Sequence, residues 1–213
     1  MAWDSNTSWN AEKDLINVSK DTTDSGLEIL ENPKYKKFVE KTNSIIYELE
    51  DIGLPREKEQ IRVVTFKSFN AAVFLKHIFD REEVDELLLV VYSINHEAAK
   101  MINDMVNKQS IKTKILMSNL RNKAHRKKEQ LTRDMFVENP NIDLYFASAH
   151  SKIMGLKTKK GNYYILEGSG NLSFNSRVEQ YVIDNDKELF NFTKDWMRKI
   201  KVFLKGKKEL VLT

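Results

Sequence analysis

The spacing of hydrophobic and polar positions changes near Pro55. Upstream, largely apolar positions recur at three- and four-residue steps from Pro33 until Gly53-Leu54-Pro55, which predicts a helix with one face to bury. The first 26 residues are rich in Ser, Thr, Asn and Asp with little periodicity, so we expect an arm there. The positions that carry the helical pattern are Tyr35, Phe38, Val39, Thr42, Ile45, Ile46, Leu49 and Ile52.

Beyond Pro55 the pattern alternates between buried strands and amphipathic helices. Strands are predicted at 61–66, 87–93, 113–118 and 142–148, and helices from Asn70 to Asp80, from a cap at Asn95 to about Lys108, and from about Leu120 to Val137. This order indicates an α/β fold with a largely parallel central sheet.

After His150 the rhythm changes to that of a hairpin. Two strand-like runs flank Lys159-Lys160-Gly161, residues 179–184 give another strand, and a terminal helix starts at about Lys187. This half of the sheet is therefore expected to be antiparallel or mixed. The apolar residues of the terminal helix favour core or dimer packing over a membrane anchor.

The amino-acid composition limits the kinds of catalytic and binding site that the chain can form. With 41% hydrophobic and 31% charged residues, the 213-residue chain can bury a core, and the absence of cysteine excludes disulfides, thiol nucleophiles and Cys-ligated metals. The longest apolar run, Leu87 to Tyr92, is far too short for a membrane span, and residues 1–20 lack a signal-peptide core. We expect a soluble cytoplasmic protein.

The chain is expected to consist of two parts, which differ in net charge. Residues 1–56, the arm and helix, carry 7 basic and 11 acidic groups, whereas residues 57–213 carry 28 basic and 20 acidic groups. The second part, expected to be the catalytic domain, could therefore attract a polyanion. The acidic first part could dock a protein partner or lie over the basic part as an inhibitory arm.

The residues best suited to catalysis lie between 149 and 180. His150 and Lys152 are two apart, so on a strand they would point to the same side. Gly168-Ser169-Gly170-Asn171 follows the hairpin and combines backbone freedom with hydrogen-bonding side chains, and Glu179 opens the next strand. Together they have the parts for phosphate chemistry: a His nucleophile, a Lys charge, neutral donors at Ser169 and Asn171, and a carboxylate to fix the imidazole tautomer.

This pattern resembles the phospholipase D superfamily, whose signature is His-x-Lys followed by Gly-Ser-x-Asn. The resemblance implies a mixed central sheet flanked by helices, an α/β/α sandwich, here with an N-terminal helical extension. It also implies a supporting role for Glu179, which lies where small members of the family place a carboxylate. One position departs from the signature, because Lys157 stands where the family usually has a structural Asp.

The chain has one complete motif. His125-Arg126-Lys127 also spells His-x-Lys, but no Gly-Ser-x-Asn follows it. Short single-motif members of the family build their site from two chains, so the resemblance implies a homodimer with two motifs facing each other. His150 of one protomer would attack phosphorus to give a phosphohistidine, and His150 of the other would protonate the leaving oxygen, without metal or other cofactor.

The basic residues favour a nucleic acid as substrate. Eight basic residues and one acid lie between Lys112 and Arg133, and the hairpin adds further lysines close in sequence to the motif. No base-reading motif is present, so we expect a non-specific endonuclease acting on DNA or RNA. The candidate nucleic-acid-binding residues are Lys123, Arg126, Lys127, Lys128, Lys157, Lys159, Lys160 and Arg177.

Other functions are weighed against this one. A dinucleotide site at Gly168-x-Gly170 fails because Ser173 replaces the third glycine, and a zinc site at His96-Glu97 fails because Lys100 replaces the second histidine. Two alternatives stay open: a phospholipid phosphodiesterase of the same chemistry, and a catalytically silent nucleic-acid-binding protein in which Lys157 marks a decayed site.

Overall fold

Nine strands and four helices make up the described part of the chain. The computed structural model describes residues 27–30, 37–41, 53–65, 70–118, 126–173 and 178–207. The strands are β1 (Leu27–Leu30), β2 (Lys37–Lys41), β3 (Gln60–Thr65), β4 (Val84–Val91), β5 (Lys112–Ser118), β6 (Ile142–Ala147), β7 (Ile153–Thr158), β8 (Tyr163–Gly168) and β9 (Glu179–Asn185). The helices are α1 (Ala72–Phe79), α2 (His96–Gln109), α3 (Arg126–Val137) and α4 (Lys187–Lys207).

All nine strands join one mixed sheet in the order β1-β2-β3-β9-β8-β7-β4-β5-β6. Strands β4, β5 and β6 are parallel, whereas β7, β8 and β9 pair antiparallel with their neighbours. The carboxyl ends of β4, β5, β6 and β8 therefore meet the amino ends of β7 and β9 at one edge, which we call the site edge. The opposite edge, which carries the β7–β8 turn, is called the hairpin edge.

Helices cover both faces of this sheet. Successive residues of β4 face opposite sides: Leu87 and Leu89 belong to a core with α1, α2 and α3, and Leu88 belongs to a second core with α4. A strand buried on both faces reads as a continuous apolar run, which explains the pattern at 87–91. The predicted three-layer α/β/α architecture with a mixed sheet is confirmed. None of the helices in the described ranges is long and apolar enough to cross a membrane.

The helix predicted from Pro33 is wrong over 37–41, which form β2. This strand pairs parallel with β3, with Val39 opposite Val63, and antiparallel with β1. Backbone pairing with the otherwise open side of β3 outweighs the helical spacing, and the short run containing Phe38 and Val39 has the side chains that strands favour. The rest of the predicted helix before Gly53, and the arm over 1–26, lie outside the described residues.

Candidate active site

His150 and Lys152 lie in the connection between β6 and β7, at the site edge. They were expected on a strand, but β7 begins at Ile153, close to where its partner β4 ends at Val91. One further backbone bond, from the Gly168 N–H to the Lys152 carbonyl oxygen at 3.4 Å, ties the connection to β8. The two side chains nevertheless meet: Lys152 Nζ is 3.2 Å from His150 Nδ1 and donates to the His150 carbonyl oxygen at 2.6 Å. The structure thus brings together the two functional side chains of the His-x-Lys motif.

The contact between these side chains engages one ring nitrogen of the imidazole. An ammonium group has donors and no acceptor, so Nδ1 is the atom that accepts from Lys152 in this contact. Partial burial lowers the pKa of Lys152, and the charge of Glu179 opposes this shift.

Ser169 and Glu179 form the second half of the cluster. The Ser169 hydroxyl donates to the Glu179 carboxylate and accepts from the backbone N–H of Gln180 at 3.1 Å. Glu179 is 5% exposed, so its charge acts at close range on Lys152 as well. Sequence reasoning gave Glu179 the role of fixing the imidazole; that role stays a prediction, because the hydrogen bond seen here runs to Ser169 and the electrostatic effect is on Lys152.

The glycines around Ser169 are required by close packing against Tyr181. A Cβ on Gly168 would overlap the Tyr181 ring and lie 2.6 Å from the carbonyl oxygen of Gln180, and a Cβ on Gly170 would overlap the Tyr181 hydroxyl. Tyr181 is itself held against Phe74, with ring centroids 5.0 Å apart. The buried tyrosine therefore sets the course of the loop that carries Ser169 and Asn171.

The other side of this loop is tied to the connection between β4 and α2. Leu172 donates its N–H to the Ser93 carbonyl at 3.1 Å and accepts from the Asn95 N–H at 2.8 Å. Asn95 also caps α2, as the sequence predicted, through a 2.9 Å bond from the Ala98 N–H. Beside Leu172, the buried Asn171 Oδ1 has no hydrogen-bond partner within the described ranges, so its side chain has capacity for a further contact.

Sequence reasoning missed Tyr92, the residue that follows β4. Its ring centroid lies 4.6 Å from that of His150, and Lys152 Nζ lies 5.1 Å from its centre. An apolar run such as 87–92 does not show which aromatic ring lies beside a distant motif, so no sequence pattern marks Tyr92.

The hairpin lysines are not brought to the site. Lys157 is the fifth residue of β7 and Lys159 follows the end of that strand, so at about 3.3 Å per residue they lie roughly 13–20 Å along the chain from Ile153. At the hairpin edge Lys157 pairs with Asp85 and Lys159 pairs with Glu83, each at 2.6 Å. Hydrogen bonding to Lys157 lowers the pKa of Asp85, and the same bond raises the pKa of Lys157. The binding role of Lys157, Lys159 and Lys160 stays a prediction.

The basic residues of α3 are placed differently. Because α3 connects the carboxyl end of β5 to the amino end of β6, its first turn, with Arg126, Lys127 and Lys128, starts at the site edge. Lys123, His125 and Arg177 lie outside the described residues. Within the described ranges, no three His, Asp or Glu side chains are grouped to share a metal ion, and His96 and Glu97 lie exposed in the first turn of α2.

Comparisons with known proteins identify the fold. No protein-family model and no curated protein matches the chain. Among solved structures, Nuc from Salmonella typhimurium, a phospholipase D family member, matches with a TM-score of 0.50 and 18% identity over 67% of this chain and 95% of Nuc. The chain therefore has the phospholipase D fold.

Two further solved structures match less well. NucT from Helicobacter pylori is 17% identical over 66% of this chain and 95% of NucT, with a TM-score of 0.47. Polyphosphate kinase from Porphyromonas gingivalis is 10% identical over 61% of this chain, with a TM-score of 0.49. The chain spans 23% of the length of that kinase.

Proposed function

We propose that the protein, which has the phospholipase D fold, is a metal-independent phosphodiesterase that cleaves DNA or RNA as a non-specific endonuclease. The observation that supports this most directly is the connected cluster at the site edge, in which His150 contacts Lys152, and Glu179 contacts Ser169 and acts on Lys152. A nucleophile, a phosphate-binding cation and neutral donors are the groups that phosphoryl transfer requires.

The proposed reaction proceeds in two displacement steps. An imidazole nitrogen of His150 forms a bond to phosphorus while the bond from phosphorus to the leaving oxygen breaks, and that oxygen takes a proton from a second imidazole. Water then attacks the phosphohistidine, gives its proton to the second imidazole, and breaks the N–P bond. Lys152, Asn171 and, once its hydroxyl turns from Glu179 to the substrate, Ser169 stabilise charge on the non-bridging oxygens, and loss of one such donor typically costs ~10²–10³ in rate.

The second imidazole is supplied by a second copy of the chain. Among the described residues of one chain, the cluster holds one histidine, His150; His77 is a buried residue of α1, and His96 lies exposed on α2. A two-fold arrangement that joins two site edges would give each active centre two His150 imidazoles in opposite protonation states. The homodimer is therefore part of the proposal.

The choice of nucleic acid rests on charge. The first turn of α3 starts at the site edge with three consecutive basic residues, Arg126, Lys127 and Lys128, and phosphate backbones bind such groups without regard to sequence. Residues 57–213 form the proposed catalytic part. Strands β1 and β2 extend its sheet beyond β3, so the part of 1–56 that contains them contributes to the same sheet.

The test is cleavage of labelled single- and double-stranded DNA and RNA in excess EDTA, with His150→Ala as the matched variant. Turnover by the wild type that disappears in the variant is the expected result. Activity that EDTA abolishes, or that His150→Ala retains, overturns the mechanism. Tight, salt-dependent binding without turnover would favour a silent nucleic-acid-binding protein, and activity confined to liposomes with co-flotation would favour a phospholipid phosphodiesterase.

A further inference from the structure

Tyr92 contacts both functional side chains of the His-x-Lys motif. Its ring lies against the His150 imidazole at a centroid distance of 4.6 Å and an interplanar angle of 59°, and the Lys152 ammonium lies 5.1 Å from the same ring centre. Tilted aromatic pairs at this distance attract each other, and a cation within about 6 Å of a ring is attracted to its π-system. One side chain thus touches the nucleophile and the phosphate-binding cation together.

The backbone around Tyr92 is fixed, whereas that of His150 is less so. Tyr92 directly follows the buried strand β4, and the next residues are tied to the Gly-Ser-x-Asn loop through Ser93 and Leu172. His150 is exposed and precedes β7, and the backbone bond that ties this connection to β8 is a long one, 3.4 Å from the Gly168 N–H to the Lys152 carbonyl oxygen. The ring of Tyr92 is therefore a rigid surface against which a more mobile imidazole can be oriented.

We propose that Tyr92 is a positioning residue whose ring orients His150 for attack and keeps Lys152 beside it; its effect on turnover rests on the proposed function. The contribution comes from the ring and not from the hydroxyl, since the aromatic face makes both contacts. Removing the ring frees the imidazole to rotate, and misplacement of a reacting group by about 1 Å can cost ~10² in rate.

Two substitutions separate the ring from the hydroxyl. Tyr92→Phe keeps the ring, and Tyr92→Leu removes it while retaining an apolar side chain. Tyr163→Leu is the control, because Tyr163 is also a half-buried tyrosine beside a lysine, Lys187, but lies at the hairpin edge. Turnover of a nitrophenyl phosphodiester should fall about 10- to 100-fold in kcat in Tyr92→Leu, with KM changed less than about threefold, and should stay within about twofold in Tyr92→Phe.

The position of the imidazole is read independently of activity. In proton NMR spectra the His150 ring signals, assigned by their loss in His150→Ala, should be shifted by the neighbouring aromatic ring in wild type, Tyr92→Phe and Tyr163→Leu. They should move toward unperturbed positions in Tyr92→Leu. This readout holds even if wild type shows no turnover, in which case the proposed function fails and the positioning contact stands.

Three results overturn the inference. The first is imidazole signals in Tyr92→Leu that match wild type in a folded protein. The second is equal loss of kcat in Tyr92→Phe and Tyr92→Leu, which would assign the effect to the hydroxyl. The third is a kcat in Tyr92→Leu equal to that of wild type when wild type is active.

Discussion

The loop that carries Ser169 depends on the absence of two Cβ atoms, and this dependence can be measured. Gly168→Ala would place a Cβ over the Tyr181 ring and 2.6 Å from the Gln180 carbonyl oxygen, and Gly170→Ala would place one over the Tyr181 hydroxyl. Contacts below 3.0 Å are essentially never made by real Cβ atoms, so the loop or the tyrosine must shift. Overpacking of this kind costs about 1–3 kcal/mol.

A second substitution distinguishes the two glycines. Tyr181→Phe removes the hydroxyl, after which the nearest Tyr181 ring atom to a Cβ at Gly170 would be the Cζ position at 2.8 Å, close to the 3.0 Å limit. The obstacles at Gly168 are a ring carbon and the backbone of Gln180, which the phenylalanine leaves in place. Tyr181→Phe should therefore relieve much of the cost of Gly170→Ala and little of the cost of Gly168→Ala.

The assay is thermal and urea unfolding of the single and double variants, combined in two double-mutant cycles. For a chain of this size each kcal/mol lowers the Tm by about 2–4 °C, so each glycine variant should lose roughly 2–12 °C. An unchanged Tm in Gly168→Ala would refute the packing argument. Equal relief of both glycine variants by Tyr181→Phe would refute the assignment of separate obstacles.

Three further predictions concern other parts of the molecule. Burial, with a contribution from Arg81, lowers the pKa of His77 from 6.5 to about 4. Folding therefore favours the neutral imidazole, so the contribution of this group to the free energy of unfolding is complete above pH 6.5 and is lost as the pH falls toward 4. Urea unfolding should show the loss of roughly 3 kcal/mol across this window, and His77→Gln should flatten it; an equal slope in the variant would contradict the argument. Lys157→Asp places a second carboxylate beside Asp85 and should lower the free energy of unfolding by up to about 1 kcal/mol. Adding Asp85→Lys to the same chain reverses the ion pair and should restore the free energy of unfolding, and 1 M salt should remove both effects. After subunit exchange, an equal mixture of wild type and His150→Ala should show about a quarter of the activity of the same total amount of wild type, because two intact chains are needed; about a half would indicate independent sites.

Most of the sheet could be predicted because its strands have local signatures. Buried runs such as 87–91 and the Gly161 turn, with φ of +89°, are encoded by neighbouring residues, and so is the Asn95 cap of α2. The error at 37–41 arose because a short segment with apolar neighbours fits both the period of a helix and the period of a strand. Pairing with β3, more than twenty residues away, decides between the two.

The candidate site was predictable in its residues and not in its contacts. The motif gave His150, Lys152 and Ser169, but their approach depends on the register of β7 against β4 and of β8 against β9. The same long-range pairing places Lys157 beside Asp85, 72 residues away, at the hairpin edge and away from the motif that it follows in sequence. The contact of Tyr92 with His150 arises in the same way.

The most direct test of the central claim is identification of the covalent intermediate. Wild type would be mixed with a phosphodiester substrate in EDTA, quenched in alkali, where phosphohistidine survives, digested, and mapped by mass spectrometry. The account predicts a phosphoryl adduct on the peptide that contains His150, lost after acid treatment and absent from His150→Ala. Rapid turnover with no adduct on His150, or an adduct on another residue, would contradict it.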